Sequence, residues 1–444
     1  MVKEPLVSVA VALIAASVAL GQQPAPTPPA SSRPVESPRP AVAGAPAVAG
    51  APAPAMACAA DNIAVPEINF DFGWKSPWLV TADLEYLLWF FPRGRQDTVV
   101  AADTAVGALV GAPLLVASDR RLDHRPYSGG RVTLGAWQAE PNGFYLPAEL
   151  RTTGFEARVF ALGEQSITVR DNASPTILRP FLDANNRTVN AVVVAAPGLA
   201  TGAISATGAT HFWGAEANAW KNLFYNGPCT TYGLSLIAGA RFLEADLEFD
   251  IQRSSLFAQN LAAFPAFQSL AGNRIQESES FTTRNRFYGG QIGVDNRFFL
   301  NPFIVDAVFK LALGANAQEL HIEGGQLRTL ANGMTVASPG ALLALPSNIG
   351  RYNRTKFSQV PEINVNVAWP VLPCLTLKCE CMALYWSKVL RPRDQVDRTI
   401  DITQIPSFPG AAGAVPTGLR QPDVPFRQSD LWSVGLSLGA ELKW

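Results

Sequence analysis

Three histidines, His124, His211 and His321, are the residues of this 444-residue chain best suited to acid–base or metal chemistry near neutral pH. Asp123 stands beside His124, but neighbours on an extended chain point to opposite faces, so the two do not make a relay. No G-x-S-x-G elbow, H-E-x-x-H helix or phosphate-binding glycine loop is present. The five cysteines, Cys58, Cys229, Cys374, Cys379 and Cys381, form an odd set, and Cys379-Glu380-Cys381 lacks the two-residue spacer of a redox or zinc pair. An exported chain permits a Cys229–Cys374 disulfide; the simpler reading makes these cysteines small apolar positions and a turn residue. Neither a catalytic residue, nor a cofactor, nor a metal is expected.

A second kind of chemistry lies in charged residues that alternate with apolar ones. Asp83, Glu85, Glu156, Glu216, Asp295, Asp306, Glu362, Glu380 and Glu441 are expected on one face with Arg131, Arg158, Arg241, Arg297, Lys310, Lys378 and Lys443. Unpaired buried charges cost several kcal/mol each, so near balance of sign predicts a lumen network of ion pairs in place of a hydrophobic core. The alternative is a narrow path for ions or small solutes, lined by a mixed field.

The elements that position these residues are strands. Hydrophobic residues make up 48% of the chain and charged ones 16%, against about 25% charged in a soluble domain. Past the N-terminus no window reaches the 18 or so apolar residues of a membrane helix. From Trp78 onward the period is two. In the last strand Trp432, Val434, Leu436, Leu438, Leu442 and Trp444 share one face, opposite Ser433, Ser437, Glu441 and Lys443. A terminal aromatic on the apolar face resembles the C-terminal insertion signal read by the outer-membrane barrel-assembly machinery. The fold expected is all-β: a transmembrane antiparallel up-and-down barrel of about ten strands, near 77–92, 127–139, 143–170, 205–226, 230–254, 275–300, 302–324, 352–370, 374–390 and 428–444. Tight turns fall at 140–142, 226–229, 301–302 and 370–373, and long loops join the other pairs, which puts both termini in the periplasm.

Three parts follow along the chain. Residues 1–21 are a signal peptide, with the apolar run Leu6 to Leu20 and cleavage before Gln22. Residues 22–66 form a Pro/Ala-rich linker unable to bury a core. Residues 67–444 form the barrel. A net charge of -1 argues against a nucleic-acid partner, and outer-membrane lipid is the expected surrounding. The apolar loops at 108–118 and 263–273 are expected to fold over the mouth or pack together.

The stretches WLVTADLEYLLWF at 78–90, GFEARVFALGE at 154–164, WGAEANAWKNL at 213–223, AGARFLE at 238–244 and FTTRNRFYGGQIG at 281–293 resemble the outer-membrane β-barrel family expanded in planctomycetes. RPF at 179–181 and PGLATG at 197–202 add to the likeness. The resemblance covers about 74 to the C-terminus and implies an outer-membrane barrel. Its function is expected to be structural or surface-interaction, with the lumen largely closed; a narrow porin is the alternative, and an omptin-like hydrolase the remote one.

Overall fold

The computed structural model describes residues 78–91, 101–102, 126–141, 149–225, 231–406 and 419–444. The expected signal peptide, the whole linker at 22–66 with its boundary to the barrel, the turn at 226–229, His124, Cys58, Cys229 and the 108–118 loop lie outside these residues.

Fifteen strands follow in chain order. They are β1 (Leu79–Phe90), β2 (Ala101–Ala102), β3 (Tyr127–Pro141), β4 (Glu149–Asp171), β5 (Ile177–Asp183), β6 (Val189–Ala195), β7 (Ala200–Tyr225) and β8 (Tyr232–Phe257). The rest are β9 (Arg274–Leu300), β10 (Phe303–Thr329), β11 (Thr335–Pro339), β12 (Gly350–Leu372), β13 (Leu375–Val389), β14 (Thr399–Ile400) and β15 (Ser429–Lys443). Ten of them close a ring in the order β1-β3-β4-β7-β8-β9-β10-β12-β13-β15, each antiparallel to its neighbours. Closure is direct. Thr81 lies opposite Lys443, and Val80 and Trp444 exchange two backbone hydrogen bonds of 2.9 and 3.1 Å. A closed ring leaves no strand edge to face lipid with unpaired N–H and C=O groups.

Three boundaries differ from the sequence reading by five residues or more. β4 begins at Glu149 rather than 143, β7 opens at Ala200 rather than 205, and β10 runs to Thr329 rather than 324. The lead of β7, ATGAISATGAT, has little strand propensity of its own; it is held by the ladder to β8, which runs unbroken from Ala200↔Phe257 to Asn222↔Ser235. Tertiary pairing outweighs propensity there. Short turns at Asn301-Pro302 and Pro373-Cys374 mark one end of the barrel, the turn end; loops of 16 residues or more mark the other, the loop end.

Each long strand changes its polarity part-way along. In β8, Leu236, Ala238, Ala240 and Phe242 face outward while Gly239 and Arg241 face the lumen; beyond Phe242, Glu244, Asp246, Glu248 and Asp250 face outward while Leu243, Ala245, Phe249 and Ile251 are buried. The apolar outer band is bounded by two aromatic belts. Trp213, Phe242 and Tyr288 stack at 4.9 and 5.0 Å in the first, and Phe224, Tyr232 and Phe298 at 5.6 and 5.1 Å in the second. Ten residues separate Tyr232 from Phe242 and Tyr288 from Phe298. At a barrel's usual tilt of about 40° and rise of about 3.3 Å this is about 25 Å, the height of a lipid-facing band.

The loop half encloses a second, small sheet. β5 pairs with β6, β2 and, in parallel, β14. Ile177 and Phe181 of β5 pack on Phe249, Phe281 and Leu320 of the wall, and Leu342, Leu343, Ala344 and Leu345 are fully buried in the same cluster. The apolar 263–273 loop likewise packs, through Phe264 and Leu270, with Leu199 and Phe257.

Candidate functional site: the filled lumen

The lumen is layered, and the lowest layer is charged. Lys378 Nζ donates to both oxygens of Asp83 at 2.9 and 3.0 Å and to Glu441 at 2.9 Å; Lys443 adds a 3.7 Å pair to Glu441. Arg131 joins Glu85 on β1 to Glu380 on β13, at 2.7 and 2.9 Å, and also donates to Ser437 Oγ. Glu216 and Glu362 are bridged twice, by Arg241 at 2.5 and 2.7 Å and by Lys310 at 2.8 Å to each. Arg158 lies 3.3 Å from both Glu156 and Glu216. Arg297 donates to Asp306 at 2.7 Å and stands 4.0 Å from Asp295. All sixteen charged residues singled out from the sequence therefore line this face within 4.0 Å of an opposite charge.

Sequence reasoning missed Arg151, whose Nη2 donates to Glu441 at 2.8 Å, and Gln291, while Asn218, Asn364 and Asn366, which alternation sets on the polar face beside Glu216 and Glu362, stand among the charges. Arg151 precedes the alternating run of β4, so periodicity carried no signal for it. A cavity of about 80 Å³ remains among these side chains, bordered by Asp83, Glu156, Asp295 and Lys378. That is room for a few water-sized groups.

Above the charges the inward face turns apolar. Leu87, Trp89, Leu162, Phe212, Phe287, Leu384, Trp386 and Leu431, from six strands, belong to one buried cluster. Trp89 stacks on Phe160 and Phe212 at 5.1 and 5.8 Å, and Trp386 reaches Phe212 and Phe287 at 6.2 and 6.3 Å. Gly435 makes the space, since a Cβ there would sit 2.6 Å from the Trp89 ring. The β12–β13 ladder stops at Glu362↔Leu384, and past Trp386 the chain turns inward with Lys388 at φ 57°. This strap crosses to β9 and β10: Asn285 brackets Leu390 with hydrogen bonds of 2.9 and 2.8 Å, and Asn316 donates to the Lys388 carbonyl at 3.0 Å.

The third layer ties the loops down. Arg179 of β5, fully buried, donates to Glu279 at 2.5 Å and lies 3.4 Å from Glu277, which also faces Arg253 at 3.4 Å. Glu279 Oε1 in turn accepts the backbone N–H groups of Leu342 and Leu343 at 2.7 and 2.8 Å. Burial pushes the Arg253 guanidinium below the ordinary arginine range, against the pull of Glu277.

His211 faces outward, exposed, opposite Asp246, and His321 pairs with Glu323 at 3.0 Å on another strand. Among the described residues no group of three or more His, Cys, Asp or Glu side chains could hold a metal. Cys379 and Cys381 face outward on β13 and Cys374 is free at the turn end, so the disulfide considered for Cys374 is not formed by any described residue.

A closed antiparallel ring, apolar outside and charged within over one belt-to-belt span, defines a bacterial outer-membrane β-barrel. Residues 82–444 match the family described as "Putative beta barrel porin-7 (BBP7)", and the chain belongs to that family. No curated protein is similar to it in sequence. Solved outer-membrane barrels are similar at low identity. The Escherichia coli outer membrane protease OmpT aligns at 10% identity and TM-score 0.35, over 82% of this chain and 97% of that one. The P. putida toluene transporter TodX aligns at 7% identity and TM-score 0.18, over 82% and 89%.

Proposed function

We propose that this barrel is a sealed outer-membrane scaffold that works through its loop-end head rather than as an open pore. The observation that carries the reading is the filled lumen: paired charges, then a fourteen-residue apolar plug with the Ser387–Leu390 strap, then loops bound by Arg179 and Glu279. A hydrated ion meeting the plug would lose its water with no polar partner in exchange, a penalty of many kcal/mol. The head is a solvent-facing body with its own core, which suits contact with neighbouring molecules at the cell surface. The turn end, with the termini, faces the periplasm, in keeping with short turns there and long loops outside. Reconstituted in a planar bilayer, the full-length protein is expected to give no stable conductance above baseline. A steady current that scales with salt would overturn the sealed reading in favour of a narrow porin.

A further inference from the structure

We infer that the lumen cavity is a binding site for one monovalent, oxygen-preferring cation of the sodium or potassium class, held by Asp295. The inference goes beyond the sealed scaffold and does not depend on it.

Asp295 is the least compensated carboxylate of the network. It is 2% exposed, its Oδ1 has no hydrogen-bond partner, and its one ion-pair neighbour, Arg297 at 4.0 Å, is committed to Asp306 by bonds of 2.7 and 3.4 Å. An ionised carboxylate so buried is costly unless something positive joins it.

The walls around it present acceptors. Asn364 and Asn366 line the same cavity, and the Oδ1 of each lacks a partner. Their orientation is chemically fixed: the Asn364 Nδ2 donates to Glu362 at 2.7 Å and the Asn366 Nδ2 to Asp306 at 3.2 Å. Reversing either amide would set oxygen against carboxylate oxygen. Register places Asp295 opposite Val308 and Val308 opposite Asn364, so carboxylate and amide face the lumen at one level, two strands apart. Trp220 Nε1 is the one buried donor without a hydrogen-bond partner among the described residues lining the cavity. The charged layer as a whole sets nine carboxylates against eight cationic side chains, Arg151 included, leaving one negative charge. Oxygen ligands select hard cations. One uncompensated carboxylate with neutral amides suits a single positive charge, and no three-carboxylate or histidine group is present among the described residues for a divalent ion.

The test is thermal unfolding of the full-length protein in detergent, read by the shift between folded and unfolded bands on a gel. Sodium, potassium and N-methylglucamine chlorides are compared at equal ionic strength. The midpoint is expected to lie about 3 °C or more higher in sodium or potassium, the scale of saturating a site that only the folded state holds. Asp295→Asn is expected to abolish the difference, and Asn364→Val to reduce it should the first variant fail to fold. Equal midpoints in the three salts would overturn the site, as would a difference that survives Asp295→Asn. A midpoint indifferent to salt that falls with rising pH only while Asp295 is present would assign the charge to a proton instead. The groups facing Asp295 in that titration are Arg297, Asp306, Glu156 and Arg151.

Discussion

Arg131 illustrates what a single residue does in this lumen. Its planar fork satisfies Glu85 and Glu380 on strands that flank β15 and reaches Ser437 on β15 itself, a geometry that lysine's single point charge cannot reproduce. Arg131→Met leaves two carboxylates facing each other without a cation and is expected to destabilise the barrel by about 3–5 kcal/mol. Removing the charges as well, in Arg131→Met with Glu85→Gln and Glu380→Gln, is expected to return most of that loss. Urea titration in lipid vesicles, followed by tryptophan fluorescence, measures both. Should the triple variant be no more stable than the single one, the cost would lie in lost packing and not in unpaired charge. Arg179 obeys the same rule in the head, but nothing in RPF at 179–181 announces it. Its partners Glu277 and Glu279 lie about a hundred residues on, and only folding of β5 into the mouth joins them.

At the scale of the element, β15 is the strand most legible in sequence. Its alternation is strict, and the structure sets Trp432, Val434, Leu436, Leu438, Leu442 and Trp444 outward, with Ser433, Ser437, Glu441 and Lys443 buried in the lumen. Leu438 sits half-way between the aromatic ends of the strand and is 62% exposed to the surroundings. Leu438→Arg is therefore expected to cost about 2–4 kcal/mol, whereas arginine in place of Trp444 near the interface would cost about 0–1 kcal/mol, in the same vesicle titration. Equal costs at the two depths would deny the band its place. Alternation also predicted ten strands, but it is blind to which face is apolar. Glu244-Ala245-Asp246-Leu247-Glu248-Phe249-Asp250-Ile251 keeps the period of two while its outer face turns acidic and its inner face apolar. All sixteen charges read from the sequence therefore fall in the turn half, and the inward ion pairs of the loop half, Arg179 and Arg253 with Glu277 and Glu279, go unread. The strap was invisible for another reason. Residues 387–390 close a stretch that reads in sequence as one unbroken strand, and past Leu384, where β13 leaves β12, they are held by Asn285 and Asn316 across the barrel.

The barrel is asymmetric along its axis, and the asymmetry dictates how it can sit in a membrane. The turn end stops close to its aromatic belt, at Tyr232, Phe298 and Trp444, while β8 continues fifteen residues past Phe242 with carboxylates on its outer face. Lipid would strip water from Glu244, Asp246, Glu248 and Asp250, so the head must stand clear of the bilayer on one side. Long loops and a bulky head fit the outer surface, where crossing chains leave their connections during barrel assembly, and short turns fit the periplasm. In a background with the five native cysteines replaced, Leu256→Cys at the head and Thr231→Cys at the turn end are both exposed positions. A membrane-impermeant maleimide added to intact cells is expected to label the first and spare the second, and permeabilising the outer membrane should make the second reactive. Labelling of the Thr231→Cys variant alone in intact cells would invert the orientation and, with it, place the head against the cell wall instead of the cell's surroundings.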